Sequence, residues 1–251
     1  MPIQDTFDST SSEIFQARQI IDPIPDFPDV VIVTYTRRIF DIILENHDAV
    51  EIGRMYTSAM IHPIYAFKFN GKHIAIYLSS IGAPASAGLM EEAIAMGAKT
   101  FLYFGSCGAL DDTVLDGHIA VLTAAWRDEG VSYHYLPAAD LIEIPTAEHL
   151  SAILDELDVP HHSTTAWTTD AIYRETRATM EKRKDAGCGV VEMEAAANQA
   201  VAQMRGVRYY QFVYGADSLA GDEWDPRTLA EFPRDQREFL ADLAVRVAAR
   251  L

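Results

Sequence analysis

Residues 72–110, KHIAIYLSSIGAPASAGLMEEAIAMGAKTFLYFGSCGAL, determine the fold class of the chain. KHIAIYLSSI (72–81) has the apolar and β-branched composition of a strand, which Gly82 ends. Residues 85–98 then carry apolar side chains at helical intervals. KTFLYF (99–104) predicts another strand immediately before a glycine-rich turn. The region therefore predicts a strand–helix–strand unit of an α/β protein.

The same alternation continues along the rest of the chain. Further strands are predicted at 29–35, 119–126, 163–169 and 207–215, and further helices at 37–47, 147–157, 190–205 and 234–251. Strands that alternate with helices predict a mostly parallel sheet with helices on both faces. Because no low-complexity linker, repeat or clear boundary interrupts the pattern, we expect residues 1–251 to form one domain, with 1–28 as an irregular N-terminal lead-in.

Charge and cysteine content argue against several classes of function. The 251 residues include 37 acidic and only 20 basic side chains, which gives a formal net charge of −17. Nucleic acids and anionic membranes are bound by basic surfaces, so neither is an expected partner. The two cysteines, Cys107 and Cys188, lack the spacing of metal ligands, and the polar N-terminus is unlike a signal peptide. We therefore expect a cytoplasmic protein.

Ligands of open α/β sheets bind beyond the carboxyl ends of the strands, so the sequences at those ends are the candidates for a site. FGSCGAL (104–110) follows a predicted strand and offers the glycines, free amides and hydroxyl that suit an anion or a ribose oxygen, through Gly105 and Ser106. A simple tight turn explains the same residues equally well. The stretch is not GxGxxG, so a dinucleotide-binding site is not predicted.

Two carboxylates in GVVEMEAAANQAV (189–201) are harder to explain by packing alone. Glu192 and Glu194 stand two positions apart, so on the predicted helix they would point about 200° away from each other. Both cannot lie on one solvated face, and an unpaired buried charge is unfavourable. At least one of them is therefore expected to face the interior or a pocket.

Other polar residues near strand ends allow a functional and a structural interpretation. Asp217 follows the predicted strand 207–215 and could serve as a general acid if its pKa is raised, or it could belong to a solvated acidic loop. TTDAIYRET (168–176) offers Tyr173 for stacking and, with the residue that follows it, either Arg174 or Arg177 as a donor. The chain lacks the GxSxG of serine hydrolases and any tight His, Asp or Glu cluster, so neither a serine nucleophile nor a metal site is predicted.

Taken in order, these stretches resemble the nucleoside phosphorylase family, which comprises purine nucleoside and uridine phosphorylases and related nucleosidases. The resemblance extends over about residues 30–220 and includes RDEGVSYHY (127–135), VVEMEAAANQAV and YGADS (214–218). It implies a three-layer α/β/α sandwich with a twisted, mixed and partly barrel-like sheet. It also implies a homo-oligomer, a dimer or hexamer, that cleaves the N-glycosidic bond of a nucleoside with inorganic phosphate and uses no cofactor or metal.

The resemblance assigns roles to residues that match the family's motifs. Glu194 would bind ribose hydroxyls, Met193 would pack on the sugar, and Glu192 would contact base or ribose. Asp217 matches the acid with which purine-type members protonate the leaving base, and so indicates a purine-like base. The base pocket would be lined by Ile172, Tyr173 and Arg174.

The phosphate site departs from the family's pattern. Arg38, Ser106 and Gly105 match it, but the loop that normally reads GDPxR is TYTRR here. Tyr103 stands where the family commonly has an arginine, and a tyrosine cannot supply the charge of a guanidinium. We expect a phosphorylase. A nucleosidase that uses water, and a catalytically weak nucleoside-binding protein, remain alternatives.

Overall fold

The ten strands of the computed structural model form one sheet among the residues that it describes, which are 2–111, 114 and 117–251. The strands are β1 Val30–Thr34, β2 Val50–Tyr56, β3 Ile61–Phe69, β4 Lys72–Leu78, β5 Thr100–Ala109, β6 Ile119–Asp128, β7 Leu141–Glu143, β8 His161–Thr169, β9 Cys188–Glu192 and β10 Arg208–Ser218. The helices are α1 Arg37–Asn46, α2 Ala83–Met96, α3 Ser132–Tyr135, α4 Ala147–Glu156, α5 Arg177–Asp185, α6 Ala195–Arg205 and α7 Arg234–Ala248.

Five of these strands close into a ring. β5 pairs with β10, β10 with β6, β6 with β8, β8 with β9, and β9 returns to β5. On its other edge β5 pairs with β1, and the sheet continues through β4 and β3 to β2. β6 runs antiparallel to β10 and β9 runs antiparallel to β5, whereas β1, β4, β5 and β10 are parallel. The sheet is therefore mixed and partly barrel-like, as the resemblance implied.

Helices cover both faces of the sheet. The alternation of side chains along β1 shows the arrangement, because successive residues of a strand point to opposite faces. Val31 and Val33 belong to a core with α2 and α6, whereas Val30 and Ile32 belong to a second core with α1, α4 and α7. All five residues of β1 are buried. This explains its continuous apolar sequence and confirms the three-layer α/β architecture.

The region that carries the two glutamates differs from its predicted structure. Residues 190–205 were predicted as one helix, but Cys188–Glu192 form β9 and α6 begins at Ala195. A short apolar run such as GVV is compatible with either a buried helix or a buried strand, and here pairing with β8 and β5 decides for the strand. Glu192 therefore ends a strand, and Glu194 is the N-cap residue of α6.

Several elements were not predicted. Strands β2, β3 and β7 and helix α5 fall in stretches without a clear periodicity, and most residues of β2 are at least partly exposed. The strand predicted at 72–81 ends at Leu78, and the helix predicted at 85–98 begins at Ala83, with a proline in its first turn. None of the helices in the described part of the chain is long and apolar enough to cross a membrane.

Candidate active site

The carboxyl ends of several strands surround one cleft. A cavity of about 200 Å³ lies where β5, β9 and β10 end, and a wider cavity of about 550 Å³ opens from it. The smaller cavity is lined by Tyr35, Ile81, Ser106, Cys107, Gly108, Ile172, Glu175, Val191, Glu192, Met193, Glu194, Asp217 and Leu229. The wider one shares Ile172, Glu175, Asp217 and Leu229 with it and adds Tyr173, Arg177, Met180, Leu219, Asp222 and Trp224. The two cavities form a single cleft, which we call the cleft from here on.

Most of the residues singled out in the sequence lie on this cleft. Six of them line the smaller cavity: Ser106, Ile172, Glu192, Met193, Glu194 and Asp217. Tyr173 lines the wider cavity and is almost fully exposed. Arg38 lies exposed in the first turn of α1, Arg174 is also exposed, and neither is among the lining residues.

Gly105 is covered by an aromatic ring. A Cβ atom at this position would lie 3.0 Å from Cδ2 of Tyr35, which is closer than side chains normally pack. The glycine therefore lets Tyr35 approach the backbone beside Ser106. Ser106 itself is exposed, although its neighbours in β5 are buried, so its hydroxyl is open to the smaller cavity.

The first turn of α6 accounts for the two glutamates. Glu192 is buried, and its Oε2 accepts hydrogen bonds from the backbone N–H groups of Glu194 at 2.9 Å and Ala195 at 2.8 Å. Its Oε1 accepts a hydrogen bond of 2.5 Å from the hydroxyl of Thr168. Because the first N–H groups of a helix have no partner within the helix, the Glu192 carboxylate caps α6.

The Glu194 carboxyl group contacts the turn before α2 rather than the start of α6. Its Oε1 accepts a hydrogen bond of 2.6 Å from the backbone N–H of Gly82. Gly82 has φ of +99°, a conformation that favours glycine, at the turn before α2. Burial raises the pKa of Glu194 to about 8, and the nearby charge of Glu192 contributes to this increase. Glu194 is thus a buried carboxyl group held at one oxygen, on the wall of the cleft.

Asp217 lies within the last residues of β10, rather than after the strand as predicted. A register shift between Gly215 and Asp217 interrupts the pairing with β5 at this point. Burial raises the pKa of Asp217, whereas a hydrogen bond of 2.7 Å from Nε1 of Trp224 and the charge of Arg227 lower it. The side chain is therefore not simply one of several solvated acids, because burial and a fixed donor distinguish it from the exposed Asp222 and Glu223.

Sequence reasoning missed two further residues of the cleft. Glu175 lines both cavities, and burial together with the charge of Asp217 raises its pKa to about 7. Trp224 lines the wider cavity and carries the donor to Asp217. Both stood in the stretches TTDAIYRET and GDEWD, next to residues that were considered, but only the chain's path across the cleft brings them together with Asp217.

A family model described as the phosphorylase superfamily matches residues 29–250. The chain belongs to the phosphorylase superfamily. A guanosine phosphorylase of Halorubrum lacusprofundi is 31% identical over 143 residues, which are 56% of this chain and 59% of that protein. A uridine phosphorylase of Thermococcus kodakarensis is 34% identical over 110 residues, which are 42% of this chain and 39% of that protein. The alignments therefore span well under two thirds of either relative's length.

The fold comparison covers nearly the whole chain. The structure of a purine nucleoside phosphorylase from Toxoplasma gondii, solved in complex with immucillin-H, superimposes with a TM-score of 0.76. It covers 93% of this chain and 92% of the other at 20% sequence identity, which establishes a shared fold. The resemblance to nucleoside phosphorylases seen in the sequence is confirmed.

Within this superfamily member, Tyr103 lies in the protein interior and not on the cleft. Its ring is fully buried in β5, and its hydroxyl shares a hydrogen bond of 3.0 Å with the hydroxyl of Tyr77. The same buried layer contains a hydrogen bond of 3.0 Å between Tyr35 and Ser86, and Asn198 Nδ2 donates to the Tyr35 hydroxyl at 3.2 Å. The residue that replaces the family's arginine therefore belongs to a neutral hydrogen-bonded network under the cleft.

The titratable side chains of the cleft are mainly carboxyl groups. Four carboxyl groups line it near the strand ends: Glu175, Glu192, Glu194 and Asp217. Among the described residues that line the smaller cavity, none is lysine, arginine or histidine. Arg177 lines the wider cavity, but its guanidinium donates to the backbone oxygens of the loop 219–222, including a bond of 2.9 Å to Asp222. Within the described residues, no three His, Cys, Asp or Glu side chains are arranged to hold a metal ion.

Proposed function

We propose that the protein is a pentosyltransferase that cleaves the N-glycosidic bond of a nucleoside, preferably a purine nucleoside, and transfers the sugar to inorganic phosphate. The main support is the position of two carboxyl groups on one cleft. Glu194 approaches it from the start of α6, and Asp217 approaches it from the end of β10. Cleavage of a purine nucleoside would use one such group at the sugar and another at the base.

At the sugar, Glu194 would accept hydrogen bonds from ribose hydroxyls while Met193 packs against the ring. As the glycosidic bond lengthens, the sugar gains positive charge. The developing positive charge favours ionisation of Glu194, whose pKa is about 8 in the free protein, and the resulting carboxylate stabilises that charge more in the transition state than in the bound nucleoside. The hydrogen bond from Gly82 supports this role, because it orients one oxygen of Glu194 before any ligand arrives.

At the base, Asp217 would donate a proton to the leaving group. Its raised pKa supports this role, since a general acid must hold its proton near the working pH. Ile172 and Tyr173 would pack on the base, and the exposed Arg174 would reach it as a donor. Glu175, whose pKa is about 7, adds a second carboxyl group that could accept a hydrogen bond from an N–H group of a purine. The guanosine phosphorylase relative is in keeping with a purine.

Phosphate would bind at the other side of the sugar. The exposed hydroxyl of Ser106, next to Gly105, would supply a hydrogen-bond donor, and Arg38 at the start of α1 would supply charge. The phosphorylase names of both relatives are consistent with phosphate as the acceptor. We expect a dimer or hexamer, in which a neighbouring subunit adds further donors.

A specific observation favours water as a second candidate nucleophile. The smaller cavity carries carboxyl groups and, among its described lining residues, no cation, while Tyr103 is buried away from it. Where these carboxyl groups are ionised they repel a doubly charged phosphate unless Arg38 or a partner subunit compensates, whereas water is not repelled. Hydrolysis would give the free base and the free sugar instead of a sugar 1-phosphate.

Release of free base from a panel of purine and pyrimidine nucleosides, with and without phosphate, tests the proposal. Release that requires phosphate and forms sugar 1-phosphate is the expected result. Release without phosphate indicates a nucleosidase, and binding without release indicates a nucleoside-binding protein. Neither binding nor release would refute all three functions. Glu194→Gln is assayed alongside in every case, because loss of release in this variant assigns the activity to the cleft.

A further inference from the structure

Thr168 and Glu192 end two neighbouring parallel strands and meet beside the cleft. Thr168 pairs in register with Glu192 across β8 and β9. Thr168 is fully buried, Glu192 is 6% exposed, and the hydroxyl donates to Oε1 of the carboxylate at 2.5 Å. Two polar side chains buried in contact at strand ends are costly to desolvate, so their hydrogen-bond partners indicate what they do.

Those partners are the first backbone N–H groups of α6. Glu194 and Ala195 donate to Glu192, and the N–H of Ala196 donates to the Thr168 hydroxyl at 3.1 Å. The N-cap residue, Glu194, makes no side-chain capping bond of its own. The cap of α6 is therefore supplied by two neighbouring strands, and the negative charge of Glu192 also suits the positive end of the helix dipole.

We propose that Thr168 and Glu192 are a positioning pair, which fixes the N-terminus of α6 and thereby orients Glu194 towards the sugar. The inference rests on the proposed function, in which Glu194 binds the sugar. Glu192 then acts through the backbone of α6, because both of its oxygens accept hydrogen bonds from the protein. One carboxylate oxygen of Glu194 accepts the hydrogen bond from the N–H of Gly82. The pair fixes the backbone of Glu194, and thereby the direction in which the Glu194 side chain projects.

The pair also affects the ionisation of Glu194. The charge of Glu192 contributes to the raised pKa of Glu194, after burial. The pKa of Glu192 is itself raised by burial, against the opposing effect of Thr168 and the two amides. Replacing Glu192 by glutamine removes a like charge, so the pKa of Glu194 should fall. A Glu192 side chain whose charge does not reach Glu194 would leave this pKa unchanged.

Thr168→Val and Thr168→Ser form the matched pair of variants. Valine keeps the shape of the threonine side chain and removes its hydroxyl, whereas serine keeps the hydroxyl. The dissociation constants of a nucleoside and of its free base are measured for each variant by calorimetry. Thr168→Val should weaken nucleoside binding about fivefold, the effect of a lost helix cap, and leave free-base binding unchanged. Thr168→Ser should restore nucleoside binding to near the wild-type value.

Glu192→Gln adds a pH readout. The ratio of nucleoside to free-base affinity is measured across pH, and its midpoint should move to lower pH in this variant. The inference is wrong if valine and serine at position 168 behave alike, if nucleoside and base affinities fall together, or if the midpoint stays in place. If Glu192→Gln does not fold, the comparison of Thr168→Val with Thr168→Ser still tests the inference.

A wild-type protein that neither binds nor cleaves nucleosides refutes the proposed function as well as the positioning pair. An active protein whose nucleoside binding is unaffected by these substitutions refutes only the positioning pair.

Discussion

Nε1 of Trp224 donates a hydrogen bond of 2.7 Å to Oδ2 of Asp217. Trp224 lies beyond the end of β10 and is 59% exposed, so the contact holds a surface residue against the carboxyl group of the cleft. A donor to a carboxylate favours the charged form and lowers the pKa of Asp217, while burial raises it. The contact therefore helps to set the pH at which Asp217 can act as an acid.

Trp224→Phe should move the alkaline limb of the pH profile to higher pH. Removing the donor raises the pKa of Asp217, and the protonated, acid-competent form then persists at higher pH. The measurement is kcat/KM for a purine nucleoside between about pH 5 and 10. Asp217→Asn is the control, because it has no acid at this position to titrate. A limb that moves to lower pH would contradict the assigned role.

Asp217→Asn should impair purine cleavage far more than pyrimidine cleavage. A purine leaves more readily once a ring nitrogen is protonated, whereas uracil can spread its charge over two carbonyl oxygens. Loss of a general acid typically costs about 100-fold or more in rate. Values of kcat/KM for a purine and a pyrimidine nucleoside, measured on the same preparations, provide the comparison. Equal losses for both substrates would mean that Asp217 does not protonate the base.

The layered fold could be predicted because its strands and helices have clear periodicities. The strand–helix–strand unit at 72–104 and the buried strand β1 follow from local sequence, although β5 continues through the predicted turn to Ala109, and the resemblance supplied the closure of the sheet. The boundary between β9 and α6 could not be predicted in the same way. GVV suits a buried strand or helix, and the choice depends on pairing with β5 and β8, which are distant in sequence.

The candidate site shows the same limit. Ser106, Glu194 and Asp217 could be singled out because they stand in recognisable stretches at strand ends. Glu175 and Trp224 could not, since their roles depend on irregular segments that cross the cleft. The hydrogen bonds of Glu192 to α6 were also beyond prediction, because the assumed continuous helix had no free N–H groups at that point.

Glu194→Gln should strongly reduce activity and stabilise the protein at higher pH. The pKa of Glu194 is about 8 in the folded protein, above its ordinary value of 4.5. The protonated group thus stabilises the folded state below about pH 4.5, and this contribution is lost as the pH rises towards 8. Glutamine cannot ionise, so the variant's advantage in free energy of unfolding should grow over that interval. Its activity should fall by about 100-fold or more.

Urea unfolding at several pH values measures this effect, with Glu181→Gln as the control. Glu181 is an exposed carboxyl group on α5, so its replacement controls for the loss of a carboxyl group outside the cleft. A Glu194→Gln variant that is fully active would refute the role in sugar binding. A stability difference that stays constant with pH would show that the buried carboxyl group is not kept protonated by its surroundings.

Tyr103→Phe should affect stability and Ser106→Ala should affect phosphate binding, although the two residues lie close together in β5. The Tyr103 hydroxyl is bonded to Tyr77 in the interior, so its removal should lower the free energy of unfolding by about 1 kcal/mol and leave the KM for phosphate unchanged. The Ser106 hydroxyl is exposed on the cleft, so its removal should raise the KM for phosphate about tenfold with little effect on stability. Urea unfolding and initial rates at varied phosphate concentration measure both effects. The reverse pattern would place Tyr103, rather than Ser106, beside the nucleophile.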